Sequence, residues 1–157
     1  MRLTSSTLFV VSLLLLSTIP FSSASQGRST VCSSTDLSSI PDPIIINDQS
    51  CEQIALGILQ PGTIVEFEVT GDVNFDFLVF RNAALQVYAN DQSYRSPTYW
   101  AEDTVFEDMV GSARWHWTVP TDESEKNWWV VLDNLAHPSD DGEGAQGGTS
   151  VQINLDI

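Results

Sequence analysis

Arg114-Trp-His-Trp-Thr-Val-Pro120 and Asn127-Trp-Trp-Val-Val-Leu-Asp-Asn134 are the two runs whose reading decides the fold. Four of the five tryptophans fall inside them: Trp115, Trp117, Trp128 and Trp129. Successive side chains of an extended strand point to opposite faces. Trp115, Trp117 and Val119 therefore share one face, and Arg114, His116 and Thr118 the other. In the second run Trp128, Val130 and Leu132 oppose Trp129, Val131 and Asp133. With an acidic turn between them, the two runs predict a β-hairpin. One face has to be core. The other still carries a large ring, which either packs under loops or other strands or serves as a stacking platform.

Working outward, the same period of two recurs. Thr63-Ile-Val-Glu-Phe-Glu-Val-Thr70 places Val65, Phe67 and Val69 on one side and Glu66 and Glu68 on the other. Gln60-Pro-Gly62 before it reads as a turn, and Gly71-Asp72 after it as another. Phe75-Asp-Phe-Leu-Val-Phe80 is apolar on both faces, as a central strand would be. Asn82-Ala83 reads as a turn leading to a return strand over Leu85–Tyr88. Gln53–Leu59 and Val151–Ile157 read as further strands, Ile44–Ile46 as a short edge strand after prolines, and Val105–Val110 as either strand or helical turn. No helical periodicity is sustained after the N-terminal segment. The pattern predicts an all-β chain, a single antiparallel β-sandwich of jelly-roll-like form with about eight strands.

The N-terminus has the three parts of a secretory signal: Arg2, the apolar run Leu8–Leu16, and the small residues Ser22-Ser-Ala24 before a cleavage point. The run is shorter than the ~20 residues of a membrane span. The expected organisation is a signal peptide over 1–24, a flexible Ser/Thr-rich leader over 25–39 and a β-sandwich domain over 40–157. About 130 residues after cleavage suffice for one domain with its own core. Localisation is then secreted or extracytoplasmic, with no transmembrane segment in the mature chain. In such a compartment Cys32 and Cys51 are expected to form a disulfide.

Six Lys+Arg against 21 Asp+Glu give a formal charge of −15. Such a surface repels phosphates and argues against nucleic-acid binding. It suits solubility, cation binding or a high-salt habitat. The loop Ser139-Asp-Asp-Gly-Glu-Gly144, with Asp133 before it, offers Asp140, Asp141 and Glu143 as oxygen ligands on a Gly-permitted backbone, the chemistry calcium takes. Its spacing is not that of an EF-hand, and a solvated loop is the alternative. Calcium is the one cofactor the sequence suggests. The aromatic candidates for a binding face are Trp129, with His116, and Trp100, Tyr99 and Tyr94 from the loop that precedes the first tryptophan run.

Leu59-Gln-Pro-Gly-Thr63, Asn74-Phe-Asp-Phe-Leu-Val-Phe80, Trp128-Trp-Val-Val-Leu-Asp-Asn134, a Gly-rich loop and an alternating last strand follow one another in a recognisable order. This order resembles the small β-sandwich modules of the bacterial pre-peptidase C-terminal type and GOLD-like lumenal domains, over roughly residues 52 to 157. Such modules occur in many exported prokaryotic proteins, archaeal ones included. The resemblance implies a β-sandwich that binds substrate, matrix or a partner. Where a pre-peptidase module has a Gly-Thr-Tyr-Tyr-type lead into its late strand, this chain has Glu125-Lys-Asn-Trp-Trp129.

Catalytic motifs are scarce. His116 and His137 are the only histidines, and there is no Gly-x-Ser-x-Gly elbow and no phosphate-binding glycine loop. The expected function is a secreted, non-catalytic module binding a cell-surface or extracellular protein or glycan. The alternatives are a structural subunit that adds a strand through Ile44–Ile46 to a neighbour's edge, and a small hydrolase.

Overall fold

The computed structural model describes residues 32–90, 94, 99–121, 126–134 and 148–157. Seven strands lie among them: β1 (Cys32–Asp36), β2 (Ile44–Ile46), β3 (Cys51–Leu59), β4 (Ile64–Arg81), β5 (Trp100–Thr118), β6 (Lys126–Asp133) and β7 (Val151–Asp156). One helix, α1 (Asn82–Ala89), follows β4, and a single 3-10 turn spans Leu37–Ser39. The expected signal peptide lies outside the described residues. The sheet begins at Cys32, inside the stretch read from sequence as a leader.

All seven strands belong to one sheet, in the order β1-β3-β6-β4-β7-β2, with β5 on the other side of β4. It is mixed, not purely antiparallel, because β1 runs parallel to β3. That pairing puts Cys32 directly opposite Cys51, and the two form a disulfide.

Strand β4 organises the rest. Along one edge it pairs with β5 from Ile64 to Phe80. Along the other edge its first half, Glu68–Gly71, pairs with β7, and its second half, Asp76–Arg81, pairs with β6. Gly71-Asp72 is therefore not a turn between two strands. It is a bend inside one, where the ladder slips between Gly71 and Phe75. On β5 the matching irregularity holds Asp108 and Gly111 at positive φ. Extra residues in a ladder bend and twist a strand, and this bend folds the sheet over on itself. The Phe75 ring lies against Gly71 so closely that a Cβ there would overlap it.

The predicted tryptophan hairpin does not form. β5 and β6 share no ladder: β5 pairs with β4, and β6 with β3 and β4. Trp117 sits opposite Val65 on the first half of β4, and Trp128 opposite Arg81 at its far end. Trp117 and Trp128 therefore belong to different halves of the folded sheet. β5 instead runs beside β4 from Ile64 to Phe80, and β6 is paired along both of its edges, by β3 and by β4, so the long-range ladders prevail over the local one.

The inner faces of both halves fill one core. Ile44 and Ile46, Ile54, Phe67 and Val69, Phe77 and Val79, Trp117, Trp128, Val130, Leu132 and Ile153 all meet there. Strand alternation read from sequence holds: Phe67 and Val69 are buried beside the more exposed Glu66 and Glu68, and Trp117 and Val119 beside exposed His116 and Thr118. The turn at Gln60-Pro-Gly62 also holds, with Thr63 N–H donating to the Gln60 carbonyl at 3.1 Å and Gly62 at φ +80°.

A second cluster covers the outer face of the β3-β6-β4 half. The stretch read as a return strand, Leu85–Tyr88, is part of α1 instead. Alanine costs least in a helix, and the i, i+4 pair Ala84 and Tyr88 is buried against the sheet. Tyr88 packs on Phe80 with ring centroids 5.8 Å apart. Asn134 fastens the open end. Its buried side-chain amide donates to the carbonyls of Thr149 (2.8 Å), Asn47 (3.1 Å) and Ile46 (3.4 Å), and its backbone N–H to Ser50 (3.0 Å). The ends of β2 and β6 and the starts of β3 and β7 are thereby held at one place.

Candidate functional site

Trp117 and Trp128 face each other across the core, so the residues beside them, His116 and Trp129, point outward from opposite halves of the sheet. The two do not form one platform.

On one outer face, Trp100 of β5 and Trp129 of β6 flank Phe80 of β4 in a single cross-strand row. Both are half-buried. The Trp129 indole N–H donates to Asn82 Oδ1 at 3.1 Å, which ties the ring to the first residue of α1. Tyr94 is wholly buried. Its ring packs against Phe80 at 5.1 Å and Trp100 at 6.1 Å, and its hydroxyl donates to Glu107 Oε1 at 3.1 Å. Tyr99 is half-buried against the same cluster, and its carbonyl accepts the Arg81 N–H at 2.8 Å. Tyr94 therefore packs under the sheet's outer cluster and offers no surface to a ligand.

Asp133 is buried in β6, opposite Asp76 on one side and Cys51 on the other, and accepts the Tyr88 hydroxyl at 2.5 Å. It belongs to the packing beneath α1, not to a loop. Asp140, Asp141 and Glu143 lie outside the described residues. Among the described residues no group of three or more His, Cys, Asp or Glu side chains could hold a metal ion.

The opposite outer face carries charge. His116 Nε2 lies 2.8 Å from Glu66 Oε2, and Arg114 pairs with both Glu66 and Glu68, the latter at 3.3 Å. The hydrogen bond from Arg114, helped by that from His116, lowers the Glu66 carboxyl below its ordinary value. All four side chains are open to water, so these contacts are screened and individually weak.

Between that charged face and the core runs a groove of about 610 Å³ along β5. Phe106, Met109, Ala113 and Trp115 form its apolar wall, with Arg114 and His116 on its rim. Trp115 is only partly exposed, with its ring against Phe67 at 5.3 Å, Phe77 at 5.0 Å and Phe106 at 4.9 Å. Sequence reasoning missed this groove because it assigned residues 115–119 to a hairpin, which would have covered that edge with β6. The available signal was the set of apolar residues Met109, Ala113 and Trp115 lying next to Asp108, Arg114 and His116.

No protein family and no curated protein matches the chain. Among solved structures it is similar to PliG of Aeromonas hydrophila, a periplasmic lysozyme inhibitor of g-type lysozyme. The identity is 10%, the TM-score 0.39, and the match covers 80% of this chain and 98% of that one.

Proposed function

We propose that this chain is a non-catalytic binding module of an extracytoplasmic compartment, and that it holds a protein partner in the groove along β5. The observation that carries the reading is the apolar wall of that groove, Phe106, Met109, Ala113 and Trp115, left partly open beside a charged rim. An apolar strip rimmed by polar groups is the usual anatomy of a protein interface. The disulfide between Cys32 and Cys51 supports an oxidising compartment.

Photo-crosslinking tests the reading in producing cells. A photoreactive side chain at Met109 is expected to give a discrete protein adduct, and one at Trp129 none. Adducts from position 129 alone would move the binding face to the Trp100–Trp129 row and overturn the assignment to the groove.

A further inference from the structure

Strand β5 has one partner among the described residues, β4. From Ser112 to Thr118 its register with β4 runs without a slip, opposite Ile64–Thr70. The irregularities at Asp108 and Gly111 lie before this segment. Every second N–H and C=O of a regular strand points away from its partner. An edge of this kind is a template for another strand, and proteins commonly guard it with lysine, proline or a bulge. Residues 100–118 contain neither lysine nor proline. The groove wall lies directly beside the edge, where alternate side chains of an added strand would cover Ala113 and Trp115.

The occupant follows from charge. A second copy of this chain brings another formal −15 to the contact, which opposes a homodimer. Arg114 and His116 also lie against Glu66 and Glu68, so the outer face beside the edge carries no excess of positive charge to draw an acidic partner. Glu107 and Asp108 add acidic side chains to the part of β5 that precedes this segment.

We propose that the edge of β5 between Ser112 and Thr118 takes up an extended segment of a cationic protein as an added strand. The proposal rests on the groove reading above and specifies how the partner is held. Attraction to the acidic surface speeds the encounter and weakens with salt.

The test uses the full chain with two defined probes, an alternating lysine–valine octapeptide and its glutamate–valine counterpart. With the lysine peptide, every second backbone amide between residues 112 and 118 is expected to gain at least ten-fold protection from hydrogen exchange. The glutamate peptide is expected to give none. Ser112→Lys/Thr118→Lys places two guarding lysines at exposed positions and is expected to weaken lysine-peptide binding at least ten-fold at unchanged melting temperature. Should that variant fold poorly, the alternation of protection in the wild-type chain decides alone. Absence of the alternating pattern, equal binding by the glutamate peptide, or full binding by a well-folded variant overturns the proposal. A photo-adduct at position 109 without strand protection removes strand addition and leaves the groove reading standing; loss of the adduct as well removes both.

Discussion

The rings of Trp117 and Trp128 meet edge to face with centroids 4.7 Å apart. Their ladder partners on β4, Val65 and Arg81, are sixteen positions apart along one strand. Extended, that length would reach about 50 Å. The contact between the two indoles is thus the closing of a strand bent back on itself, and several consequences follow from it.

Trp128→Ala is expected to destabilise the fold by about 3–5 kcal/mol, because a wholly buried ring leaves a cavity at the meeting of both halves. A double-mutant cycle with Trp117 in urea unfolding should give a coupling of about 0.5–1.5 kcal/mol. Additive effects would mean that the two rings do not touch. Trp129→Ala, half-buried on the outer face, should cost clearly less than Trp128→Ala.

Gly71→Ala tests the bend. The new methyl overlaps the buried Phe75 ring, and overpacking of this kind costs about 1–3 kcal/mol. Phe75→Leu in the same chain should recover part of that loss, although Phe75→Leu alone destabilises. Thermal unfolding of the two single variants and the double variant measures the sign of the coupling.

Asn134→Ala removes a buried amide that serves three carbonyls at once. Leaving such acceptors unsatisfied is expected to cost about 2–3 kcal/mol. Faster amide exchange at the starts of β3 and β7 would locate the damage at the convergence point.

Glu66 gives the chain an acid-sensitive contact. Its carboxyl is lowered from 4.5 in the folded state by Arg114 first and His116 second. A lowered folded value means the contribution to stability is fully present above the unfolded value. It is lost as pH falls through the folded one. Glu66→Gln should therefore narrow the stability gap between pH 6 and acid conditions relative to wild type, as read from melting temperatures, and the difference should shrink in high salt.

Cys32→Ser/Cys51→Ser opens a loop of sequence separation 19. The chain-entropy account gives a loss of about 3 kcal/mol. The amides of β1 should lose protection first, because among the described residues that short edge strand meets the sheet only along β3.

Much of this architecture is legible in the chain. Period-two alternation set Phe67 with Val69, and Trp117 with Val119, on faces opposite Glu66 and opposite His116 and Thr118, and a strand cannot change parity without a bulge. Gln60-Pro-Gly62 carried its own turn geometry. The helix α1 was not legible, because its eight residues hold one clear buried pair, Ala84 and Tyr88, and the sheet beneath supplies the stabilisation. Tyr94 looked like a surface aromatic in a polar loop and is buried beneath Trp100 and Phe80.

The sequence by itself determined which side of each strand faces the core and which two cysteines join. Both are local or chemical properties that survive any arrangement of the strands. Which strand lies beside which was decided only in three dimensions. Trp115–Trp117 and Trp128–Trp129 are neighbours along the chain and fit a hairpin on local grounds, yet β4, bent at Gly71, takes β5 along one edge and β6 along the other. That choice sets Trp117 against Trp128 across one core, sends His116 and Trp129 to opposite faces, and leaves the groove along β5 partly open.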